Sequence, residues 1–454
     1  MEEKKQLNFI KKVIYGFGDL GGNFLAIFIG AYIMIYLSNT IGLNTGIIGT
    51  LMLVARIFDG ITDVFIGSMI DHTHTKYGKA RPWQFVSTFL CAIGIVAIYS
   101  MPANASSTVQ YAYFFIVYVL TNAFFYTANN IAYSTLSALI TKNSEERVQL
   151  GTARYVCSTL AVMIILSVSI PLVTFFGGGA AGWRTVALLY AAVFLVLNLI
   201  CVVFLKEVPE NNNLENADKK QNSSDVSFID TMKILLKSKK FLLILAVYFL
   251  MYLWTGMISS LGTYYMTYVI GNVSYLGMFS TAQNLATMAA LVCTPFLVNK
   301  VGIHKGVLAS LVMEVIAAGF FAFTVMNGKF SLVIVAVVIM GFFSGPLMGS
   351  LSATVASIGE YIFLEKGKHV EGSLFSCSSI GIKVGSGIGG AIVGWALALS
   401  GFDGLAAVQP ESAIFMMKAL FGFTPIIVYF ILTVCFSKLN MQKAIEKLRS
   451  RQGK

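Results

Sequence analysis

Twelve apolar stretches, each long enough to cross a lipid bilayer as a helix, recur along the 454 residues of this chain. A helix that spans the hydrocarbon core of a bilayer needs about 20 predominantly apolar residues. The stretches lie approximately at 13–38, 45–70, 83–101, 109–140, 150–176, 184–205, 240–270, 276–299, 305–327, 331–359, 371–400 and 412–436. Hydrophobic residues make up 57% of the chain and charged residues 12%. The sequence therefore predicts an all-α membrane protein with twelve transmembrane helices.

One long polar segment divides these stretches into two groups of six. It runs from 207 to 239 and is rich in Asn, Glu, Lys and Ser, which is the composition of a solvated linker. We therefore predict an N-terminal six-helix bundle over 1–206, a cytoplasmic linker over 207–239, a C-terminal six-helix bundle over 240–437 and a basic tail over 438–454.

Lys and Arg are concentrated in alternate loops. HTHTKYGKARPW and NKVGIHK belong to the basic set, whereas SNTIGLNTG and MPANASSTVQ in the intervening set contain no Lys or Arg. Because basic loops stay in the cytoplasm, both termini are predicted to be cytoplasmic. The net charge of +11 is spread over short loops and tails without a nucleic-acid-binding motif, so we expect no nucleic acid partner. The loops also lack a nucleophile–base pair or a metal motif, which argues against an enzyme.

Two carboxylates lie inside the second apolar stretch, LMLVARIFDGITDVFIGSMID. Asp59 and Asp63 are four residues apart, so they share one helical face. A charge at the centre of a membrane helix costs about 2.5–3.5 kcal/mol of insertion free energy. Two such charges on one helix are therefore expected to interact with a cation, a proton or a water-filled path between helices. Thr62 adds a hydroxyl next to this pair, and Thr127 in the fourth stretch can reach the same region. The residues alone leave an alkali-cation site and a shared proton as alternatives.

Further ionisable residues fall at membrane depth in other stretches. These are Asp19, Arg56, Arg154, Glu314 and Lys383. Because isolated buried charges are costly, we expect most of them to converge on a polar cavity and partly neutralise one another. The alternative is an ion network that only holds helices together. For Glu314 three placements stay open: facing lipid near a helix end, pairing locally, or holding a proton.

The fourth stretch ends in a polar and aromatic segment, FFYTANNIAYSTLSALIT. It places Asn129, Asn130, Tyr133 and Ser134 within an apolar helix. Amides hydrogen-bond sugar hydroxyls, and an aromatic face covers the C–H side of a sugar ring. The alternative interpretation is that small and polar residues join the helices.

Five segments together are similar to one known family. YGFGDLGGN at 15–23, LVARIFDGITDVFIGSMID at 53–71, KYGKARPW at 76–83, ERVQLGTAR at 146–154 and YYMTYVIGN at 264–272 resemble the glycoside–pentoside–hexuronide:cation symporters. The resemblance runs from about 12 to 436. It implies a major-facilitator-type bundle of 12 transmembrane helices in two six-helix halves, to which the 6+6 arrangement also points.

The resemblance also implies roles for individual residues. Asp59, Asp63, Thr62 and Thr127 match or neighbour the cation ligands of the family's melibiose permease, so Asp59 and Asp63 would hold Na⁺ in a sodium-coupled protein. Lys383 matches a lysine of the eleventh span. The complete predicted substrate-binding set is Asp19, Asn23, Tyr126, Asn130, Ser134, Arg154, Ser378, Ser379 and Lys383.

Three positions depart from the melibiose permease. Asn23 and Asn130 replace two of its sugar-binding carboxylates, and Ser134 replaces its stacking tryptophan. The two amides resemble members of the family that carry pentosides or glucuronides, and they suit neutral sugars equally well. The sequence therefore does not select one sugar. Glu360 is the remaining acidic residue of a segment that is more acidic in the family, and it receives no site role.

The expected function is symport of a glycoside, pentoside or hexuronide with Na⁺ or H⁺ by alternating access in the bacterial inner membrane. We expect that the coupling ion is the only cofactor-like partner. We also expect that the protein is surrounded by membrane lipid and is functional as a monomer. KYGKARPW and FLEKGKHVEG are expected to stabilise the inward-closed state through ion pairs, unless they are ordinary basic loops. Two other functions stay open: a lysolipid or amphiphile symporter of related fold, and a membrane sensor that binds sugar without transport.

Overall fold

The computed structural model describes residues 8–73, 75–102, 104–141, 144–207, 235–366, 371–406 and 408–451. These residues form helices and short connections, with no β-strand within the ranges just given. Twelve long helices are numbered α1 to α12 in chain order, and α13 is a short helix near the C-terminus. Those of the first half are α1 (Phe9–Ile35, continued by a π-helical segment, Tyr36–Thr40), α2 (Thr45–Asp71), α3 (Ala80–Ile98), α4 (Ser107–Val119, π-helical Leu120–Tyr126, then Thr127–Leu139), α5 (Ser144–Phe175) and α6 (Gly179–Phe204).

The remaining helices repeat the same long, apolar pattern. They are α7 (Lys239–Tyr264, continued by π-helical Tyr265–Val269), α8 (Tyr275–Val301), α9 (Ile303–Asn327), α10 (Phe330–Lys366), α11 (Glu371–Leu399), α12 (Glu411–Ser437) and α13 (Met441–Arg451). Among the described residues, eleven helices are long and apolar enough to cross a membrane. The long helix outside those eleven is α2, which has 27 residues and carries Arg56, Asp59 and Asp63 in its interior. The predicted spans are thus present as helices, with ends that differ by several residues.

The described chain separates into two compact units by its internal contacts. The first contains α1–α6 together with Gly262–Ser280 and Gly390–Ile414, which are one end of α7 with the start of α8, and one end of α11 with the start of α12. The second contains the other parts of α7, α8, α11 and α12, with α9, α10 and α13. The boundaries predicted from the sequence, 1–206 and 240–437, stay a prediction.

A carboxylate fixes the basic loop between α2 and α3 within the first unit. The carboxylate of Glu207 accepts hydrogen bonds from the backbone N–H groups of Lys79, Ala80 and Arg81 at 2.8–3.0 Å, so it caps the start of α3. Arg81 in turn donates to the carbonyl of Val202 near the end of α6 at 2.6 and 2.9 Å. A residue with a Cβ at Gly78 would collide with Glu207. KYGKARPW is therefore held against α6, whereas 367–370 of FLEKGKHVEG lie outside the described residues.

At the other end of the first unit, the π-helical ends of α1 and α7 meet. Asn39 donates to the Tyr268 hydroxyl at 2.5 Å, and the hydroxyls of Ser38 and Tyr264 are 2.9 Å apart. The ring of Phe402 packs edge-on against both tyrosines, with centroid distances of 5.2 and 5.3 Å. These contacts lie at the helix ends that are remote from the basic loops.

Glycines allow α7 and α11 to pack closely within the second unit. The positions of a Cβ on Gly385 and Gly389 are occupied by the backbone of Phe249 and Leu253, so any larger residue would push the helices apart. Both glycines belong to VGSGIGGAIVG, a glycine-rich pattern that is typical of closely packed helices. In the same unit, α13 packs on α10, where Arg449 forms an exposed ion pair with Glu360 at 2.7 Å.

Candidate functional site

The aspartate that opens the candidate cation site is Asp59, in the middle of α2. It is 5% exposed and has partners of two kinds, a hydroxyl and a guanidinium. Its Oδ1 accepts a hydrogen bond from the Thr127 hydroxyl of α4 at 2.7 Å, and its Oδ2 lies 3.5 Å from a guanidinium nitrogen of Arg56 one turn earlier. The carboxylate is therefore partly neutralised by a cation of the same helix and oriented by a hydroxyl of another.

A π-helical segment of α4 completes this region. Thr62 of α2 donates to the carbonyl of Ala123, which belongs to the segment Leu120–Tyr126, at 2.5 Å. π-helical turns are rare and are frequently found at functional sites. Thr62, Thr127 and Asp59 are all less than 9% exposed, so their oxygens lie together in a dry environment. Hydroxyl, carbonyl and carboxylate oxygens are ligands that suit a hard cation.

Asp63 occupies the next turn of the same helix. It is half-buried, whereas Asp59 is buried, and its side chain is not free of interactions. The predicted cation residues Asp59, Thr62 and Thr127 are joined by contacts, and Asp63 continues their helical face toward the more exposed side.

The predicted sugar-binding residues of the first unit form a continuous polar chain. The Asn23 amide donates to the carboxylate of Asp19 at 3.2 Å, and Asp19 accepts from Arg154 of α5 at 2.9 Å. Arg154 donates to the Ser134 hydroxyl at 3.1 Å, and that hydroxyl donates to the Asn130 side chain at 3.3 Å. Residues that are far apart in the sequence, on α1, α4 and α5, thus meet in one network.

This polar chain is accessible, unlike the surroundings of Asp59. The side chains of Arg154 and Asp19 are 33% and 14% exposed, and Asn23, Asn130 and Ser134 are half-buried. Their donors and acceptors are therefore open to a solute that enters between the helices. The charges of Asp19 and Arg154 cancel, so the network offers hydrogen bonds rather than net charge.

Two stacked aromatic rings pack against the guanidinium of Arg154. Its guanidinium lies over the ring of Tyr133, 5.1 Å from the centroid, and Tyr133 stacks on Tyr15 of α1 with centroids 4.6 Å apart. Tyr133 also donates to the carbonyl of Tyr15 at 2.6 Å. The ring of Tyr133 fills the position that a Cβ at Gly18 would occupy, so a glycine is required there. Tyr15 is not among the residues predicted from the sequence, because nothing in the order of residues 15 and 133 shows that they stack.

One helix, α4, carries both groups. Thr127 contacts Asp59, and Asn130 and Ser134 follow on the same helix at intervals of three and four residues, which keeps them on one face. Tyr126 precedes Thr127 on the same helix. Its hydroxyl is 3.7 Å from the Cβ position of Gly22, and it interacts with Asn130. A displacement of this part of α4 would move both groups together.

Asn129 is next to Asn130 in the sequence, but it lies outside the polar chain and packs against α3. It is 3% exposed and donates to the hydroxyls of Ser87 and Thr88 on α3 at 3.2 and 3.0 Å. Asn129 therefore joins α4 to α3, which is the helix-packing alternative considered for this segment.

The predicted residues of α11 belong to the second unit. Lys383 is half-buried there and has an interaction of its own. The side chains of Ser378 and Ser379 lie outside the described residues. The proposed role of these three residues stays a prediction.

Comparison with known proteins gives a consistent family. The model of the family described as MFS/sugar transport protein matches residues 14–442. The isoprimeverose transporter of Lactiplantibacillus pentosus is 28% identical over 407 residues, covering 88% of this chain and 82% of that protein. A protein of Escherichia coli (strain K12), provisionally named the glycoside/cation symporter YagG, is 27% identical over 464 residues, covering 98% and 95%. The crystal structure of the nucleoside transporter NupG superimposes with a TM-score of 0.66 at 14% identity, covering 94% of this chain and 99% of that one, which shows a shared fold.

Proposed function

We propose that this chain, which belongs to the MFS/sugar transport protein family, carries a neutral, pentose-containing glycoside across the membrane together with a cation. The chain is a multi-pass membrane protein and a sugar transporter of the symporter type, as its family and relatives indicate. The sugar, the ion and the residues that bind them are the proposal. The arrangement on α4, where Thr127 contacts Asp59 while Asn130 and Ser134 connect to Arg154, is the observation that supports it most.

Charge balance favours a neutral sugar. Asp19 and Arg154 neutralise each other, and Asn23, Asn130 and Ser134 add uncharged donors and acceptors. A hexuronide would need a cation for its carboxylate, and within this polar chain Arg154 is already paired with Asp19. Isoprimeverose, named for one relative, contains the neutral hydroxyl groups that such a network can bind.

The cation would bind at Asp59 and Asp63 with oxygens of Thr62 and Thr127. An added Na⁺ or H⁺ would neutralise Asp59 and weaken its attraction for Arg56, which lies 3.5 Å away. The hydroxyl of Thr127 would then be fixed by the ion, and with it the segment of α4 that bears Asn130 and Ser134. Each solute would raise the affinity for the other by the same factor, as linkage requires.

The π-helical ends of α1 and α7 would form a gate on the side remote from the basic loops. The hydrogen bonds Asn39–Tyr268 and Ser38–Tyr264 must break before a sugar can enter from that side. Replacing Asn39→Ala together with Tyr268→Phe removes one of these bonds, which are worth about 0.5–1.5 kcal/mol each. We expect thiol labelling of Ser38→Cys to rise by roughly threefold when these two changes are added to it, compared with Ser38→Cys alone; unchanged labelling would contradict the gate.

The remaining parts of the proposal concern the cellular setting. The distribution of Lys and Arg supports an inner-membrane location with both termini in the cytoplasm. The protein would act as a monomer surrounded by lipid, with no nucleic acid partner and no cofactor other than the coupling ion.

Uptake by the purified full-length protein in liposomes tests the proposal. An inward Na⁺ gradient and an inward H⁺ gradient are imposed separately, with isoprimeverose or a glucuronide outside. We expect accumulation of isoprimeverose above the external concentration with one of the gradients, and loss of accumulation when an ionophore dissipates it.

Two results would reject parts of the proposal in different ways. Accumulation of the glucuronide without isoprimeverose would reject the neutral substrate but keep symport. Equilibration of isoprimeverose without accumulation under either gradient would reject cation coupling. The variant Arg449→Gln, which changes an exposed ion pair far along the chain, serves as the control and should retain uptake.

A further inference from the structure

A second buried carboxyl, Glu314, lies outside the proposed transport site. It is at the middle of α9, within the second unit, and its exposed fraction is 0%. The buried residues of α9 recur every three or four positions, and Glu314 belongs to that buried face together with Leu311, Ala317 and Ala318. The expectation that Glu314 faces lipid near a helix end is therefore wrong, because packing against neighbouring helices encloses it completely.

The surroundings of Glu314 provide no counter-charge. Neither carboxyl oxygen has a hydrogen-bond partner among the described residues. The polar group that interacts with it is the hydroxyl of Tyr429 on α12, at a geometry short of a hydrogen bond, and no Lys, Arg or His of the described residues takes this place. α9 packs on α10 and, through contacts such as Phe321 with Phe421, on α12. Among the described residues of these helices, Tyr429 is thus the titratable neighbour of Glu314.

An ionised carboxylate is very unfavourable in such a place. Transfer of an unpaired charge into the interior costs several kcal/mol even after relaxation, whereas a neutral carboxylic acid can donate one hydrogen bond. We propose that Glu314 is a proton-binding site, loaded while α9 and α12 are packed, in which the neutral acid donates to the Tyr429 hydroxyl. The proton would join these two helices and would not be the coupling ion.

This role has a definite pH dependence. A group that is protonated in the packed protein and ionised when exposed to water favours the packed state at low pH, and that contribution is lost as the pH rises. The folded protein should therefore lose stability toward alkaline pH more steeply with Glu314 than with an uncharged side chain there. A glutamine has nearly the same shape and cannot ionise.

Infrared spectroscopy of the purified full-length protein tests the proposal directly. The wild type at neutral pH should show the carbonyl stretch of a buried carboxylic acid, which Glu314→Gln removes and Glu314→Asp retains at a shifted frequency. The control Glu411→Gln, which changes an exposed glutamate at the start of α12, should leave the band in place. A wild-type spectrum without such a band, or a band that persists in Glu314→Gln, would overturn the proposal.

Transport distinguishes the static proton from a coupling proton. Glu314→Gln should keep gradient-driven sugar uptake within about twofold of the wild type at neutral pH, because a glutamine replaces the neutral acid. Between roughly pH 5 and pH 8, above the ordinary pKa of a glutamate, the melting temperature should fall less in Glu314→Gln than in the wild type. Loss of accumulation in a folded Glu314→Gln protein that still equilibrates sugar would mean that the proton at Glu314 is transported, contrary to the proposal.

Discussion

Asp59 and Glu314 are both carboxyls buried near the middle of long apolar helices, but their environments differ. Asp59 is 5% exposed, receives a hydrogen bond from Thr127 and lies next to Arg56. Glu314 is 0% exposed, and neither of its oxygens has a hydrogen-bond partner among the described residues. Burial alone therefore does not define a cation site. The partners do, since they decide whether a negative charge can be maintained.

The comparison extends to how each carboxyl is connected to the rest of the protein. Asp59 connects through Thr127 to α4, which also carries Asn130 and Ser134. Glu314 lies on a face that joins α9 to α10 and α12, with Tyr429 as its polar neighbour. A change of charge at Asp59 can therefore reach the sugar-binding residues, whereas one at Glu314 would act on helix packing.

Removing the charge of each carboxyl gives the largest expected contrast. Asp59→Asn removes the carboxylate next to Arg56, whose side chain is 32% exposed, and it removes a proposed ligand of the ion. We expect cation-stimulated sugar binding, measured by calorimetry, to weaken by at least about 100-fold. Glu314→Gln is the matched control and should bind nearly normally. Similar losses in the two variants would show that the difference in partners has no functional meaning.

Removing Arg154, the cationic partner of Asp19, should leave Asp19 without a counter-charge, which is the situation of Glu314. In Arg154→Gln, Asp19 loses the guanidinium at 2.9 Å, and Ser134 loses a donor at 3.1 Å. Hydrogen bonds to charged groups contribute about 1.5–3 kcal/mol, so sugar affinity should fall roughly 10- to 100-fold. Cation binding measured without sugar should change much less, because Asp59 keeps its partners.

Arg449→Gln is the control for this prediction, since it removes a guanidinium from an exposed ion pair. Equal losses of sugar and cation affinity in Arg154→Gln would indicate general damage to the protein. Unchanged sugar affinity would exclude the polar chain as the sugar site.

A smaller effect is expected when Asp59 loses one hydrogen-bond donor, the Thr127 hydroxyl, but keeps Arg56 nearby. Thr127→Val deletes the donor to Asp59 while keeping the branched shape of the side chain. The loss of one hydrogen bond predicts a cation affinity lower by about 5- to 10-fold, with the sugar affinity in saturating cation nearly unchanged. Thr135→Val, on the same helix directly after Ser134, is the control. If both variants behave alike, Thr127 does not order the ion.

The sequence predicts the fold well because the bilayer imposes strict rules on it. The spans follow from apolar length, and the observed helices and the shared fold agree with them. The helix ends differ by several residues, since hydropathy does not register where caps such as Asn44 begin a helix. The π-helical segments of α1, α4 and α7 have no signal in the sequence pattern.

The candidate site was predictable in its residues but not in its contacts. Asp59, Asp63, Asp19 and Arg154 are conspicuous because charges within apolar helices are costly. Their sequence positions do not reveal that Arg154 pairs with Asp19 or that Tyr133 supports it by stacking. Nor do they distinguish Asn130, in the polar chain, from Asn129, which joins two helices.

The sequence by itself determined that this protein lies in a membrane, how many times it crosses and which charges demand an explanation, because the cost of polar groups in lipid is local and visible residue by residue. The tertiary structure decided what each charge is for. It gave Asp59 a hydroxyl and a guanidinium, gave Asp19 an arginine, and left Glu314 with a tyrosine as its polar neighbour. Except for Arg56, these partners come from other helices, and the energy of a buried charge depends strongly on its partners.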